Sequence, residues 1–319
     1  MQTSTGDGAV ASRTGKRVDR VVGVDVARAV ALVGMFLAHL TYPEGVVAEL
    51  LYGFPSSLFA LIAGISMGFM AARGATATHF VVRGLLLVLL HLLLLPFAGD
   101  IKLVLATLGV CMIALAWVPA CDSRWLALLI PLLTVTSGFV DLGSAYSPWM
   151  WAALMLAGLL FGRHMLGNCR RLTYGVVVGG VLLALDIYAR WYVTLPWFLD
   201  ADGHTGGMVD VVGSMGASIG ICSLCCLVAQ RWQVVLPRMG SMPLTLYCLH
   251  VCTAQWVGAT TTIICAALLA TVWLAFFRRG PFEEALRRLV NAGVGIRQKG
   301  QHNEQQDTSR IVPQDVHGG

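Results

Sequence analysis

The stretch VGVDVARAVALVGMFLAHL, Val22 to Leu40, decides the fold. It is apolar for the length of a membrane crossing, which needs roughly 20 residues, yet it carries Asp25, Arg28 and His39. A charged group inside hydrocarbon costs a few kcal/mol (~3 on insertion scales), so it is kept where it has a partner or a task. Arg28 and His39 are 11 residues apart, close to three helical turns, which puts them on one face about 16 Å apart along the axis. Asp25 lies one turn before Arg28 and can pair with it. A second reading stands beside this one: Arg28 reaches back to the interface with Asp25 as counter-ion, and His39 only ends the helix.

The rest of the chain repeats the apolar character. Hydrophobic residues are 57% of the 319 and charged ones 12%. No soluble domain of this size buries that much apolar surface, so lipid is the expected solvent. The 20 residues before the first run are polar and basic, and no small-residue cleavage site follows them. An uncleaved first span is expected, not a signal peptide.

Runs bounded by Gly, Pro and charges predict an all-α, polytopic bundle of ten transmembrane helices near 21–41, 50–72, 80–97, 101–119, 124–140, 148–162, 172–195, 208–229, 242–257 and 260–277. The last two share one long apolar run, broken near Gly258. Counted from an inner N-terminus, alternate loops collect Arg73 and Arg83, Arg124, Arg163 with Arg170 and Arg171, and Arg231 with Arg238. The other loops hold Lys102 among Glu44, Glu49, Asp100, Asp141, Asp200 and Asp202. This is the positive-inside pattern, with both termini cytoplasmic in the plasma membrane. It accounts for the net charge of +5 without nucleic acid.

Four parts follow: a basic cytoplasmic N-terminus (1–20), the transmembrane domain (21–277), an amphipathic cytoplasmic helix (278–298) and a disordered tail (299–319). Phe282, Ala285, Leu286 and Leu289 form the expected apolar face of the amphipathic helix. No Walker or Rossmann glycine loop is present. The Cys222-x-x-Cys225 spacing sits in an apolar helix without a second ligand pair, so buried thiols are expected and no metal. The small residues of GSMGASIG, 213–220, suit close helix contact.

Further ionisable groups fall in the outer half of the membrane or just above it. Asp186 and Arg190 are spaced to pair, either as a packing lock or as part of a site. Asp210 opens a span after DADGHTGGMVD, 200–210, which also holds His204. Asp210 or Asp186 can orient the His39 imidazole. His91 and His250 either face a shared cavity or bond to neighbouring helices, and His204 is either an exposed loop residue or part of the site.

DVARAVALVGMFLAH (25–39) resembles the first-helix motif of integral-membrane acyltransferases, an Arg and a His with ten residues between. PSSLFALIAGISMGF (55–69) and SPWMWAALMLAGLLFGR (147–163) are similar to segments of the heparan-alpha-glucosaminide N-acetyltransferase-like proteins. GSMPLTLYCLH (240–250) and RRGPFEEALRR (278–288) look like the C-terminal signature of the YeiB-like bacterial proteins. Ala29 stands where a Gly is common, and the first outer loop is short, which argues against a large sugar-polymer acceptor. The resemblance implies transfer of an acyl group from cytoplasmic acetyl-CoA or another acyl-CoA to a hydroxyl or amine at the outer face. The acceptor would be a small molecule or glycan: a sugar, an amino sugar or a lipid-linked glycan. It implies His39 as catalytic imidazole, acting as base or as acyl carrier, and Arg28 on the donor path. Asp25, His91, Arg190, His204 and His250 join that path as substrate-side candidates. Membrane lipids are the expected surroundings, and a homodimer is compatible with the chain. A proton-coupled transporter or flippase using the same residues is the competing expectation.

Overall fold

A computed structural model describes residues 21–41, 43–144, 146–229 and 234–295. The basic N-terminus and the tail fall outside the described residues. Among those described there is no strand. The helices are α1 (Val22–Thr41), α2 (Gly45–Leu51), α3 (Phe54–Ala72), α4 (Ala77–Leu94), α5 (Leu105–Ala114), α6 (Ser123–Phe139) and α7 (Pro148–His164). They continue with α8 (Cys169–Tyr192), α9 (Met208–Val228), α10 (Val235–Ser241), α11 (Pro243–Thr253), α12 (Ala259–Phe276) and α13 (281–295).

Among the described residues, six helical stretches are long and apolar enough to cross a membrane. They are Val22–Thr41, Gly45–Ala72, Ala77–Phe97, Cys169–Tyr192, Met208–Val228 and Ala259–Phe276. In coarse outline this is an all-helical, multi-pass membrane protein. The other expected spans are shorter. The region 101–119 contains only the 10-residue α5, and 242–257 only the 11-residue α11. At 1.5 Å per residue, each reaches about half the ~30 Å hydrocarbon thickness. Pro119 and Pro243 are the local reason, since proline favours a helix start and removes a backbone donor.

Burial sorts the helices. α7 is buried on nearly every side from Met150 to Leu159, so it is the axis of the bundle. Its first turn is set by Pro148 and by the Ser147 hydroxyl, which accepts from the Met150 N–H at 3.4 Å. α3 lies against it so closely that a Cβ on Gly64 would overlap the Met155 carbonyl, and one on Gly158 the Leu61 carbonyl. The outer helices reverse the pattern. Val177, Val181 and Leu185 on α8, Leu85, Leu89 and Leu92 on α4, and Ile264, Leu268 and Val272 on α12 are exposed at helical spacing. These stripes form an apolar belt for lipid. The small residues 213–220 do let helices approach: Gly216 and Gly220 meet Leu182 and Gly179 of α8.

On α13 the buried stripe is Leu286, Val290 and Val294, which joins the core, while Phe282 and Leu289 are exposed. The expected apolar face is therefore rotated, because the helix packs on the bundle as well as lying along its end.

Candidate functional site

The polar residues of α1 gather two separate neighbourhoods, one at each end. At its start, Arg28 donates to the Asp25 carboxylate at 2.7 Å, to the Gly240 carbonyl at 2.8 Å and to the Ser66 hydroxyl at 3.2 Å. The contact with α10 is possible because a Cβ on Gly240 would overlap the Asp25 carbonyl. The guanidinium is thus fixed by α3 and α10 as well as by the expected pair on its own helix.

Around this point opens a crevice of about 1370 Å³. Its wall carries Arg28, Arg73, Arg83, Arg278, Arg279, Arg287 and Arg288, against Asp25, Glu283 and Glu284. Glu284 is held well below the usual carboxylate range by hydrogen bonds from Arg287, Arg288 and Arg279. The Glu283 carboxylate accepts from the Leu244 N–H at 2.7 Å, the Thr245 N–H at 3.1 Å and the Thr245 hydroxyl at 2.6 Å. It therefore caps α11, the helix that leads to His250.

A narrower cavity of about 120 Å³ adjoins the crevice; Arg28, Met70 and Arg83 line both. It runs along α1 to Met35 and ends against Tyr247 and Val104. The Tyr247 hydroxyl accepts from the Val104 N–H at 3.2 Å.

One turn beyond Met35 on α1, and three residues beyond Tyr247 on α11, two imidazoles meet. His39 Nδ1 lies 3.2 Å from His250 Nε2, with the rings 8° from parallel and their centroids 5.4 Å apart. One nitrogen of this contact carries the proton and the other accepts it. When the proton is on His39 Nδ1, its Nε2 is a bare base. Phe36 packs on the His250 ring at 4.6 Å. His250 is 1% exposed, and its Nδ1 has no partner among the described residues.

The remaining candidates form a third group. Arg190 of α8 contacts Asp186 at 2.8 Å, Glu49 of α2 at 3.0 Å and Asp210 of α9 at 3.7 Å, over the Phe54 ring at 5.0 Å. Gly213 of α9 makes room for the Asp186 side chain, which a Cβ there would overlap. Asp210 also accepts from the Gly206 N–H and the Ser214 hydroxyl, both at 3.1 Å. Neither aspartate bonds to His39, whose hydrogen-bond partner is His250. The expectation that an aspartate orients His39 is corrected on this point: Arg190 takes both carboxylates first.

His204 joins this end through its loop. Its backbone has φ 71°, a left-handed conformation uncommon for a residue with a Cβ, and its ring meets Tyr146 edge-on at 5.0 Å. Burial holds its imidazole down at about 4, with Lys102, Arg190 and His39 adding repulsion. His91 is not brought in. It is half-buried near the end of α4 beside the exposed Leu92 and Leu93, and no hydrogen bond or ring contact joins it to Arg28 or His39.

Sequence reasoning missed Ser66, Gly240, Glu49 and Arg83. The first two touch Arg28 through a hydroxyl and a backbone carbonyl, which leave no charge signal. Arg83 carries one, a lone arginine at the head of an apolar run; grouped by charge with the loop arginines, it lies within α4. No protein-family model matches the chain, and no curated protein is significantly similar to it in sequence.

Proposed function

We propose that this chain is an acyl-CoA-dependent acyltransferase of the plasma membrane, of the kind resembled by its first-helix, Pro-Trp and C-terminal motifs. In this reading the arginine-lined crevice opens to the cytoplasm, both termini lie inside, and ten helices cross or enter the bilayer, with α5 and α11 as short members. The anionic end of the donor rests in the crevice, and acetyl or another acyl group is directed past Arg28 toward His39. The observation that carries the reading is the alignment of a basic crevice, Arg28, a narrow cavity and the His39–His250 pair along α1 and α11.

The chemistry balances as a simple transfer. An acceptor hydroxyl or amine gives its proton to His39 Nε2 as its oxygen or nitrogen attacks the thioester carbonyl. The C–S bond breaks, and the CoA thiolate leaves with the proton returned from the imidazole. In the carrier variant His39 Nε2 attacks the thioester carbonyl and displaces the CoA thiolate; the acceptor then attacks the acyl-imidazole, and its proton passes to the imidazole nitrogen as the C–N bond breaks. His250 fixes the His39 tautomer in both cases. A small hydroxyl or amine acceptor, such as an amino sugar or a lipid-linked glycan, meets His39 from the other face.

The test uses purified protein in liposomes with labelled acetyl-CoA and glucosamine as acceptor. Acceptor-dependent CoA release is expected, and His39→Ala should reduce it by about 100-fold or more, the scale of general-base catalysis. Release unchanged in His39→Ala would remove this mechanism. A proton-coupled transporter or flippase is the second reading, favoured by the buried Asp186–Arg190–Asp210 group. Gradient-driven uptake without CoA release would establish it instead.

A further inference from the structure

Arg28 and Arg83 share the neck between crevice and cavity, and their charges are met unequally. Arg28 has Asp25 at 2.7 Å. Arg83 makes no hydrogen bond or ion pair among the described residues; the charges acting on it are Arg28, which repels it, and Glu283. Arg83 is half-buried on the crevice wall, and a bound anion would pair with its guanidinium there.

Beyond the neck the chemistry changes at once. The cavity is walled by Met35, Met67, Leu87, Leu105, Leu108 and Met112. Its hydroxyls are those of Ser66 at the neck, which donates to the Ile62 carbonyl, and of Tyr247 at the far wall, which accepts from the Val104 N–H and keeps its own proton to donate. A polar arm with amide groups would recover little of its hydration there beyond that one donor. An aliphatic chain loses nothing, and flexible thioether side chains adapt to it. At about 120 Å³ the space is close to the ~150 Å³ apolar cavity that stays dry and accepts a benzene-sized molecule.

We propose that this neck and cavity bind an anionic amphiphile: its head is held between Arg28 and Arg83, and an aliphatic chain of about four to six carbons fills the cavity. Head and chain must be directly joined, as in an alkyl phosphate or an anionic lipid from the bilayer; in an acyl-CoA the pantetheine arm separates the phosphates from the acyl chain, so the two cannot fill neck and cavity together. The site goes beyond acyl transfer, because binding needs neither His39 nor an acceptor.

The test measures binding to the full chain in phosphatidylcholine nanodiscs, corrected with empty discs. The probes are CoA, acetyl-, butanoyl-, hexanoyl- and decanoyl-CoA, and butyl, hexyl and decyl phosphate. In the alkyl phosphates affinity should rise about three- to fourfold per methylene up to six carbons and then level off, while the acyl-CoA series stays flat. Ala63→Phe, on the cavity wall, should bring hexyl phosphate down to the butyl phosphate level while CoA is unaffected. Leu108→Phe serves the same purpose if that variant does not fold. Arg83→Gln should weaken every probe at least tenfold. A rise in the alkyl phosphates with the acyl-CoA series flat upholds the site; a rise confined to the thioesters overturns it. Alkyl phosphate affinity independent of chain length, or a rise that survives the cavity-filling variants, overturns it too. Acetyl transfer that persists in that case would leave the enzyme reading standing alone.

Discussion

Arg190 holds three carboxylates and a phenyl ring at once, with its side chain 1% exposed. Removing one partner of a buried ion pair leaves the other desolvated and unmatched, at a cost of about 3–5 kcal/mol. Arg190→Met should therefore lower the unfolding temperature in detergent sharply, whereas Glu49→Gln, at the exposed rim, should cost less than about 1 kcal/mol. His204 gives a pH signature. Its folded value of about 4 lies below the ordinary 6.5, so between these the unfolded chain binds a proton that the folded chain refuses. Stability should fall as pH drops from about 6.5 to about 4 and level off below. His204→Asn, which tolerates the same left-handed backbone, should flatten that slope in thermal scans across the window. Pairs within one helix, Asp25–Arg28 and Asp186–Arg190, were legible from spacing alone. The His39–His250 contact joins residues 211 apart and was not, because periodicity says which face a residue occupies but not which helix covers that face.

At the scale of helices, α13 acts on α11 through a single side chain. Glu283 satisfies two backbone donors and one hydroxyl at the start of the helix that carries Tyr247 and His250. Glu283→Gln should destabilise the protein by about 1–2 kcal/mol, as loss of a strong helix cap does, readable as a lower denaturation midpoint. Glu284 has the opposite relation to the crevice, since it occupies Arg279, Arg287 and Arg288. Glu284→Gln should tighten binding of CoA to the crevice and steepen its dependence on salt, measured by titration at two ionic strengths. The long apolar helices were predictable because hydropathy and length suffice for them. The expected span 50–72 instead starts as α2 and re-forms as α3 across Gly53, at φ 116°, a turn that glycine permits and that hydropathy does not register. The shortness of α5 and α11 was hidden for a related reason, since apolar residues beside a proline count toward a span whether or not they remain helical.

On the scale of the whole molecule, the arginines of the crevice and the histidine pair lie at opposite ends of one bundle. With the arginine end facing inward, as proposed, reporter domains fused to either terminus should both report the cytoplasm. The crevice also has an electrical effect. In the proposed orientation, water and counter-ions entering it carry the cytoplasmic potential as far as Arg28, so the voltage across the membrane falls over the ~16 Å of α1 that remains before His39. Any ion driven through that septum would feel about 2.3 kcal/mol per charge for each 100 mV. A neutral acyl group feels none, so the turnover of a transferase built this way should be indifferent to a potassium-diffusion potential imposed on the vesicle, while an ion carrier using the same septum would follow it.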